Sequence, residues 1–164
     1  MRKEKVITRL KYLYSLELIN AFFLPFAFLT YCYVHNERPG LNSIVALSLN
    51  GIILLEGSYL WFRICQRLTN PKADRSMTIY KTFKITNIGL IIITLTALLT
   101  NPFSSSYDKV GAIGFTVLAI LEHINYFEIQ LMYDNKNDLK YLRQFGLKRS
   151  KLKMLLTKGG LTDK

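Results

Sequence analysis

The sequence predicts an all-α integral membrane protein, a bundle of four transmembrane helices, and three observations support that fold class. Of the 164 residues, 50% are apolar and only 20% are charged. The apolar residues are concentrated in four runs of about 20 to 23 residues, a length that crosses a hydrocarbon core of about 30 Å as an α-helix. The strongest helix breakers outside these runs lie in the connections, at Pro39, Pro71 and Pro102.

The four runs define the predicted domain organisation. A transmembrane domain covers residues 13–134. It is preceded by a cytoplasmic amphipathic segment, residues 1–12, and followed by a basic cytoplasmic segment, residues 135–164. Pro25 lies in the first run, where it removes one backbone hydrogen bond and is expected to kink the helix. The spans are predicted at about 13–34, 43–64, 82–101 and 110–132.

The distribution of lysine and arginine predicts the orientation. The chain has 22 basic residues, and all but Arg38 and Lys109 lie in the N-terminal segment, the second connection with its helix ends, or the C-terminal segment. The positive-inside rule therefore places these three regions, and both termini, in the cytoplasm. We expect a multi-pass protein of the cell membrane, most simply a bacterial inner (cytoplasmic) membrane.

The same charges indicate which partners to expect. A net charge of +11, concentrated on one side, favours the lipid bilayer and its anionic head groups over nucleic acid. Both terminal segments have one apolar helical face, so we expect amphipathic helices on the membrane surface; docking onto a protein partner is the alternative. The apolar faces consist of Val6, Ile7, Leu10 and Tyr14 in the first segment, and of Leu139, Leu142, Phe145, Leu152, Leu155 and Leu156 in the second.

The two halves of the chain align weakly with each other. A shift of 67 residues places Asn20 on Asn87, and a shift of 66 places Glu56 on Glu122. Because each half contains two spans, the alignment predicts a tandem two-helix repeat about an axis near the membrane normal. In such a repeat the four residues converge near the axis. Chance similarity between apolar runs is the alternative.

Polar side chains within the apolar runs are the candidate binding residues. A charged group at mid-membrane costs about 2.5–3.5 kcal/mol and usually faces the bundle interior. These residues all fall in the cytoplasmic half, which predicts a polar site that opens inward. Glu122 is the deepest, about 15 Å from the inner end of its span, and is the best candidate for the ionisable centre. The ligand- or proton-binding candidates are Glu56, Glu122, His123, Asn20, Asn87, Asn125 and Glu128.

Each candidate also has a structural interpretation. The amides can join helices through hydrogen bonds, the deep carboxyl groups can pair with each other, and the histidine can be a packing residue. Glu17 and Lys84 lie near the membrane surface and are candidates for structural ion pairs. No metal is expected, because carboxylate-bridged bundles use Glu-x-x-His pairs on two helices, and His123 has no such spacing. No cofactor is expected either.

Three function hypotheses follow. The first is a small protein that binds or transports a cation, a proton or a polar small molecule, with a homodimer or a larger membrane complex completing any transport pathway. The second is a non-catalytic accessory, partner-binding or immunity protein whose polar residues only hold its helices together. The third, an intramembrane enzyme acting on a lipid or isoprenoid substrate, is the weakest, since the sequence contains no G-x-S-x-G, H-E-x-x-H or phosphate-binding glycine loop.

Overall fold

The computed structural model is all-α, as the sequence predicts, and its four long helices pack as a bundle. It describes residues 2–70, 78–131, 140, 142–144, 146–150, 152 and 154. All four helices are long and apolar enough to cross a membrane. The helices are α1 (Arg2–Val34), α2 (Leu41–Thr69), α3 (Thr78–Thr100) and α4 (Ser106–Phe127).

Two helices differ from the predicted spans at the ends that matter for the site. The first helix runs from Arg2 through Pro25 to Val34 as one element of 33 residues, so the predicted N-terminal segment forms the first turns of α1. The fourth ends at Phe127 rather than near residue 132. It ends early because Asn125 Oδ1 accepts a hydrogen bond of 2.9 Å from the Leu131 N–H, which draws the backbone away from the helical path.

Local capping accounts for the other helix ends. After α1, Asn36 adopts a left-handed conformation with φ 54°, and the Glu37 N–H donates to the Cys32 carbonyl oxygen at 2.9 Å. This pattern is a Schellman motif, which satisfies carbonyl groups that a helix end would leave free. At the start of α4, the Ser105 hydroxyl accepts a hydrogen bond of 3.2 Å from the Asp108 N–H.

The second helix lies at the centre of the bundle. It packs extensively against α1 on one side and α4 on the other, whereas α3 contacts α2 and α4 over a smaller area. The buried residues of α3 are Tyr80, Asn87 and Thr94, which recur every seven positions and therefore form one narrow stripe. Most of the apolar surface of α3 faces outward, as expected of a helix surrounded by lipid.

Two apolar clusters fill the bundle. We call the end where α1 and α3 begin and α2 and α4 end the basic end, and the other the opposite end. The cluster toward the opposite end contains Ala46, Leu47, Ala112 and Phe115. The larger cluster, toward the basic end, consists of Leu10, Leu13, Leu49, Ile53, Leu60, Trp61, Ile64, Cys65, Tyr80, Ala119, Tyr126, Phe127 and Leu152.

Candidate functional site

A buried carboxyl group, a half-buried one and a buried phenol meet between α1 and α4, and we call Glu17, Glu122 and Tyr126 the acidic site. Glu17 is only 5% exposed. Its carboxyl group interacts electrostatically with that of Glu122, and both interact with the Tyr126 hydroxyl. Tyr126 is 1% exposed, and its hydroxyl has no hydrogen-bond partner of good geometry among the described residues. The site therefore combines two acidic groups with a phenol that can donate its single proton to only one of them.

A glycine in α2 determines where the Tyr126 ring lies. A Cβ atom at Gly57 would overlap that ring, so the ring packs directly against the α2 backbone. One residue further along, the Ser58 hydroxyl donates a hydrogen bond of 2.8 Å to the Tyr14 carbonyl oxygen, which joins α2 to α1 one turn from Glu17. The phenol is thus directed toward the acidic residues of α1 and α4 by close packing on α2.

A second pair of candidates joins α2 to α3. Asn87 Nδ2 donates a hydrogen bond of 2.7 Å to Glu56 Oε2. Asn87 is fully buried and Glu56 is half-buried, and nearby the Tyr59 and Phe83 rings make an edge contact with centroids 6.1 Å apart. The amide donor stabilises the carboxyl group, so the Glu56–Asn87 pair is a direct link between two helices that otherwise share a small contact area.

The third group of candidates lies at the surface of the basic end. The Lys84 ammonium forms an ion pair with the Glu128 carboxylate, and the two side chains are 32% and 44% exposed. His123 is buried close to them and packs against the Phe127 ring, with centroids 4.9 Å apart. Its Nδ1 atom has no hydrogen-bond partner among the residues that the structure describes. This group connects α3 to the end of α4.

The structure places several candidates differently from the sequence interpretation. Lys84 pairs with Glu128, whereas Glu17 lies beside Glu122, so the two ion-pair candidates have separate neighbours. Glu122 also accepts a hydrogen bond of 3.4 Å from Asn125 Nδ2 on its own helix. Because α4 ends at Phe127, Glu122 lies about 8 Å from the end of the helix rather than about 15 Å.

The polar contacts of the two halves of the chain do not correspond in the way that the predicted repeat would require. Asn20 is half-buried and makes no side-chain hydrogen bond with any residue in the described ranges. The bond between Asn87 and Glu56 therefore has no counterpart between Asn20 and Glu122. The structure brings Glu56 together with Asn87, and Glu122 together with Glu17 and Asn125, as two separate polar groups.

Sequence reasoning missed a polar network at the opposite end. The buried Asp108 carboxylate accepts a hydrogen bond of 2.8 Å from the Ser43 N–H, and others of 3.0 and 3.2 Å from the N–H and hydroxyl of Ser104. It thereby caps the start of α2, where Gly40 has no side chain to do so. The Ser-x-x-Asp spacing from Ser105 to Asp108, just before an apolar run, is the signal that could have revealed it.

Sequence reasoning also missed Tyr126 and Asn50. Tyr126 follows an apolar run, and a tyrosine there is usually a packing residue, so no local pattern marks its hydroxyl. Asn50 is 2% exposed in the middle of α2. A search for amides within apolar runs, the criterion that selected Asn20 and Asn87, also selects Asn50.

The bundle also has a groove that none of the candidate residues line. It has a volume of about 350 Å³ and opens between the halves of α1 and α4 nearest the opposite end. Its lining is almost entirely apolar and includes Phe28, Tyr31, Gly111 and Phe115. This groove is therefore separate from the acidic site.

Neither a metal-ligand cluster among the described residues nor similarity to a known protein indicates a function. Within the described ranges, no three His, Cys, Asp or Glu side chains lie close enough to hold a metal ion. No family model matches the chain, and no curated protein or solved structure matches it either. The function has to be argued from the residues of the site.

Proposed function

We propose that this chain is a multi-pass membrane protein that binds a small cation or a proton at the acidic site formed by Glu17, Glu122 and Tyr126. One observation supports this above all: two carboxyl groups on different helices lie near the same buried phenol, whose hydroxyl can donate a hydrogen bond to only one of them. Two ionised carboxylates repel each other where water is excluded, so a cation or a shared proton between them lowers the free energy of the site.

The distribution of charge supports an orientation with both termini in the cytoplasm. All basic residues except Arg38 and Lys109 lie at the basic end or in the segments next to it. By the positive-inside rule the acidic site then lies in the cytoplasmic half of the membrane, and its ligand comes from the cytoplasm. The same cations favour binding of the basic end to anionic lipid head groups.

The packing favours binding over a continuous transport pathway within one chain. Between the acidic site and the opposite end lie Ala46, Leu47, Ala112 and Phe115, a buried apolar cluster. An ion crossing that cluster would lose its hydration without gaining polar partners. We therefore assign any transport step to a homodimer or to a larger membrane complex, in which a second chain supplies part of the pathway.

A second candidate function is favoured by the other polar residues. Glu56 pairs with Asn87, and Lys84 pairs with Glu128, so in both cases a polar residue of α3 satisfies an acidic residue of a neighbouring helix. Such pairs are what a non-catalytic accessory or immunity protein would need to hold its helices together. Under this alternative Glu17 and Glu122 are also structural.

The single tryptophan provides a direct test. Trp61 is buried in the same cluster as Tyr126, so its fluorescence reports on the surroundings of the acidic site. The purified protein in detergent micelles is titrated with NaCl and KCl, with choline chloride keeping the ionic strength constant, and separately with acid and base. We expect a saturable change for the wild type with at least one of these ligands.

The variants decide between the two functions. Glu17→Gln and Glu122→Gln keep the shape of the side chains but remove the carboxylates, and we expect them to abolish the saturable change. Glu56→Gln is the matched control, since its carboxyl group pairs with Asn87 outside the acidic site, and it should respond like the wild type. Equal responses from all three variants would refute the acidic-site proposal and leave the accessory function as the better one.

A further inference from the structure

Residues 146–150, 152 and 154, which we call the C-terminal strap, fold back against the end of α4. The turn that allows this is at Gly146, whose φ of 76° is left-handed and favours glycine. Ile129 and Arg149 then form an antiparallel bridge. Backbone hydrogen bonds on either side of it join the Gln130 N–H to the Lys148 carbonyl oxygen at 2.8 Å and the Ser150 N–H to the Glu128 carbonyl oxygen at 3.1 Å.

Two side chains of the strap enter the bundle. Ser150 is fully buried, and its hydroxyl donates a hydrogen bond of 2.5 Å to the backbone carbonyl oxygen of Tyr126. Leu152 is also fully buried and belongs to the cluster at the basic end. That cluster draws residues from all four helices, so Leu152 fills the space where the helix ends converge. Its other members include Leu10 of α1, Trp61 of α2, Tyr80 of α3 and Tyr126 of α4.

The position of Leu152 bears on access to the acidic site. Leu13 and Leu10 lie one and two helical turns from Glu17 toward the basic end, and both belong to the cluster that contains Leu152. A route from the basic end to Glu17 along α1 passes this cluster. The strap is also attached to Tyr126, a residue of the site itself.

We infer that the C-terminal strap is a plug that closes the acidic site toward the cytoplasm and controls how fast its ligand enters and leaves, an inference that rests on the proposed function. Release of the strap separates the described backbone hydrogen bonds of Gln130 and Ser150 and exposes Leu152 while the contacts between the four helices remain, so it is a local opening that costs less than unfolding. Opening of this kind lets the ligand exchange while the four helices stay packed.

The two native cysteines make the plug testable in the full chain. Cys65 is 7% exposed and belongs to the cluster that contains Leu152, whereas Cys32 is 1% exposed at the far end of α1. Leu152→Ala removes most of the side chain that fills the basic end. In detergent micelles we expect N-ethylmaleimide to modify Cys65 at least about tenfold faster in this variant, with Cys32 unchanged, because only the local opening becomes easier.

Two further variants separate a plug from general loosening. Leu47→Ala truncates a buried leucine in the cluster toward the opposite end and should leave the modification of Cys65 unchanged. Ser150→Ala removes the hydrogen bond to Tyr126 but keeps Leu152, and it should accelerate Cys65 modification less than Leu152→Ala does. Faster modification of both cysteines in Leu152→Ala, or no change at Cys65, would overturn the plug.

The fluorescence of Trp61 distinguishes failure of the plug from failure of the proposed function. In stopped-flow mixing with the cation or acid that alters wild-type fluorescence, Leu152→Ala should respond at least about tenfold faster with the same final amplitude. A wild-type response with an unchanged rate in Leu152→Ala would refute the plug and leave the proposed function standing. No wild-type response to any cation or pH would refute the proposed function, even with the expected cysteine pattern.

Discussion

The two ends of the bundle hold buried acidic residues in opposite ways. At the opposite end, Asp108 accepts three hydrogen bonds, from Ser43 and Ser104. Toward the basic end, Glu17 and Glu122 share the single hydrogen-bond donor of the Tyr126 hydroxyl. The comparison shows that the protein supplies Asp108 with more hydrogen-bond donors than it supplies to either Glu17 or Glu122.

The helix directions explain the difference. The start of α2 lies at the opposite end, and its free N–H groups are donors that attract a carboxylate such as that of Asp108. Near the acidic site α4 is ending, at Phe127, and a helix end offers carbonyl oxygens instead of N–H groups. The backbone can therefore saturate Asp108 but not Glu122.

The largest effect is expected from Asp108→Ala. It removes three hydrogen bonds and leaves the buried N–H group of Ser43 without an acceptor, so the free energy of unfolding should fall by about 3–5 kcal/mol. Unfolding in mixed detergent micelles measures it. Lys109→Ala, at the exposed neighbouring position, is the control and should change little. A loss below about 1 kcal/mol would show that the network is not a structural cap.

Gly40→Ala tests the same cap from the α2 side. A Cβ atom there would overlap Asp108 and Ser104, so we expect a loss of about 1–3 kcal/mol in the free energy of unfolding, measured in the same way. Gly114→Ala is the matched control, because no atom lies near its Cβ position and alanine favours the helix by about 1 kcal/mol. Equal effects of the two substitutions would contradict the close approach of Asp108.

Asn87→Leu tests whether the Glu56–Asn87 pair and the acidic site are separate polar groups. It leaves Glu56 without its amide donor and should cost about 1–3 kcal/mol of stability, while the Trp61 response to ligand persists. Asn20→Leu is the repeat-related control and should cost less than about 0.5 kcal/mol, since Asn20 makes no side-chain hydrogen bond within the described residues. Loss of the Trp61 response in Asn87→Leu would mean that the two groups form one site.

The smallest effect is expected from Lys84→Met. The ion pair between Lys84 and Glu128 is substantially exposed, and ion pairs of this kind contribute about 0–1 kcal/mol. Thermal unfolding of the variant and the wild type at low and high salt measures it. A loss well above this range would show that the pair is as structural as the Asp108 cap.

The sequence predicts the fold class because that depends on the length of the apolar runs, which each helix carries by itself. It does not predict that α4 ends at Phe127, because an asparagine such as Asn125 is also compatible with a continuing helix, and the segment after α4 pairs with Arg149 and Ser150, far along the chain. The bridge to the strap is a contact between distant segments, and no local pattern in the apolar run up to residue 132 indicates it.

The candidate site is predictable only in part for a similar reason. Depth along a helix selects Glu56 and Glu122 as carboxyl groups inside the predicted spans, but it does not say how each helix is rotated. The rotation decides that Glu17 faces Glu122 and that Glu56 faces Asn87. The place of Tyr126 in the site cannot be predicted, because it depends on the close approach of its ring to the α2 backbone at Gly57.

The central claim is that Glu17, Glu122 and Tyr126 are arranged for a ligand and not for stability. The most direct measurement compares the free energies of unfolding of Glu122→Gln and the wild type. It is made with and without the cation that alters Trp61 fluorescence or, if the ligand is a proton, at the two ends of the pH titration. Without ligand, removal of one of two repelling carboxylates should leave the variant at least as stable as the wild type, and ligand should stabilise only the wild type. A variant destabilised by more than about 1 kcal/mol without ligand would contradict the claim and identify Glu122 as a structural residue.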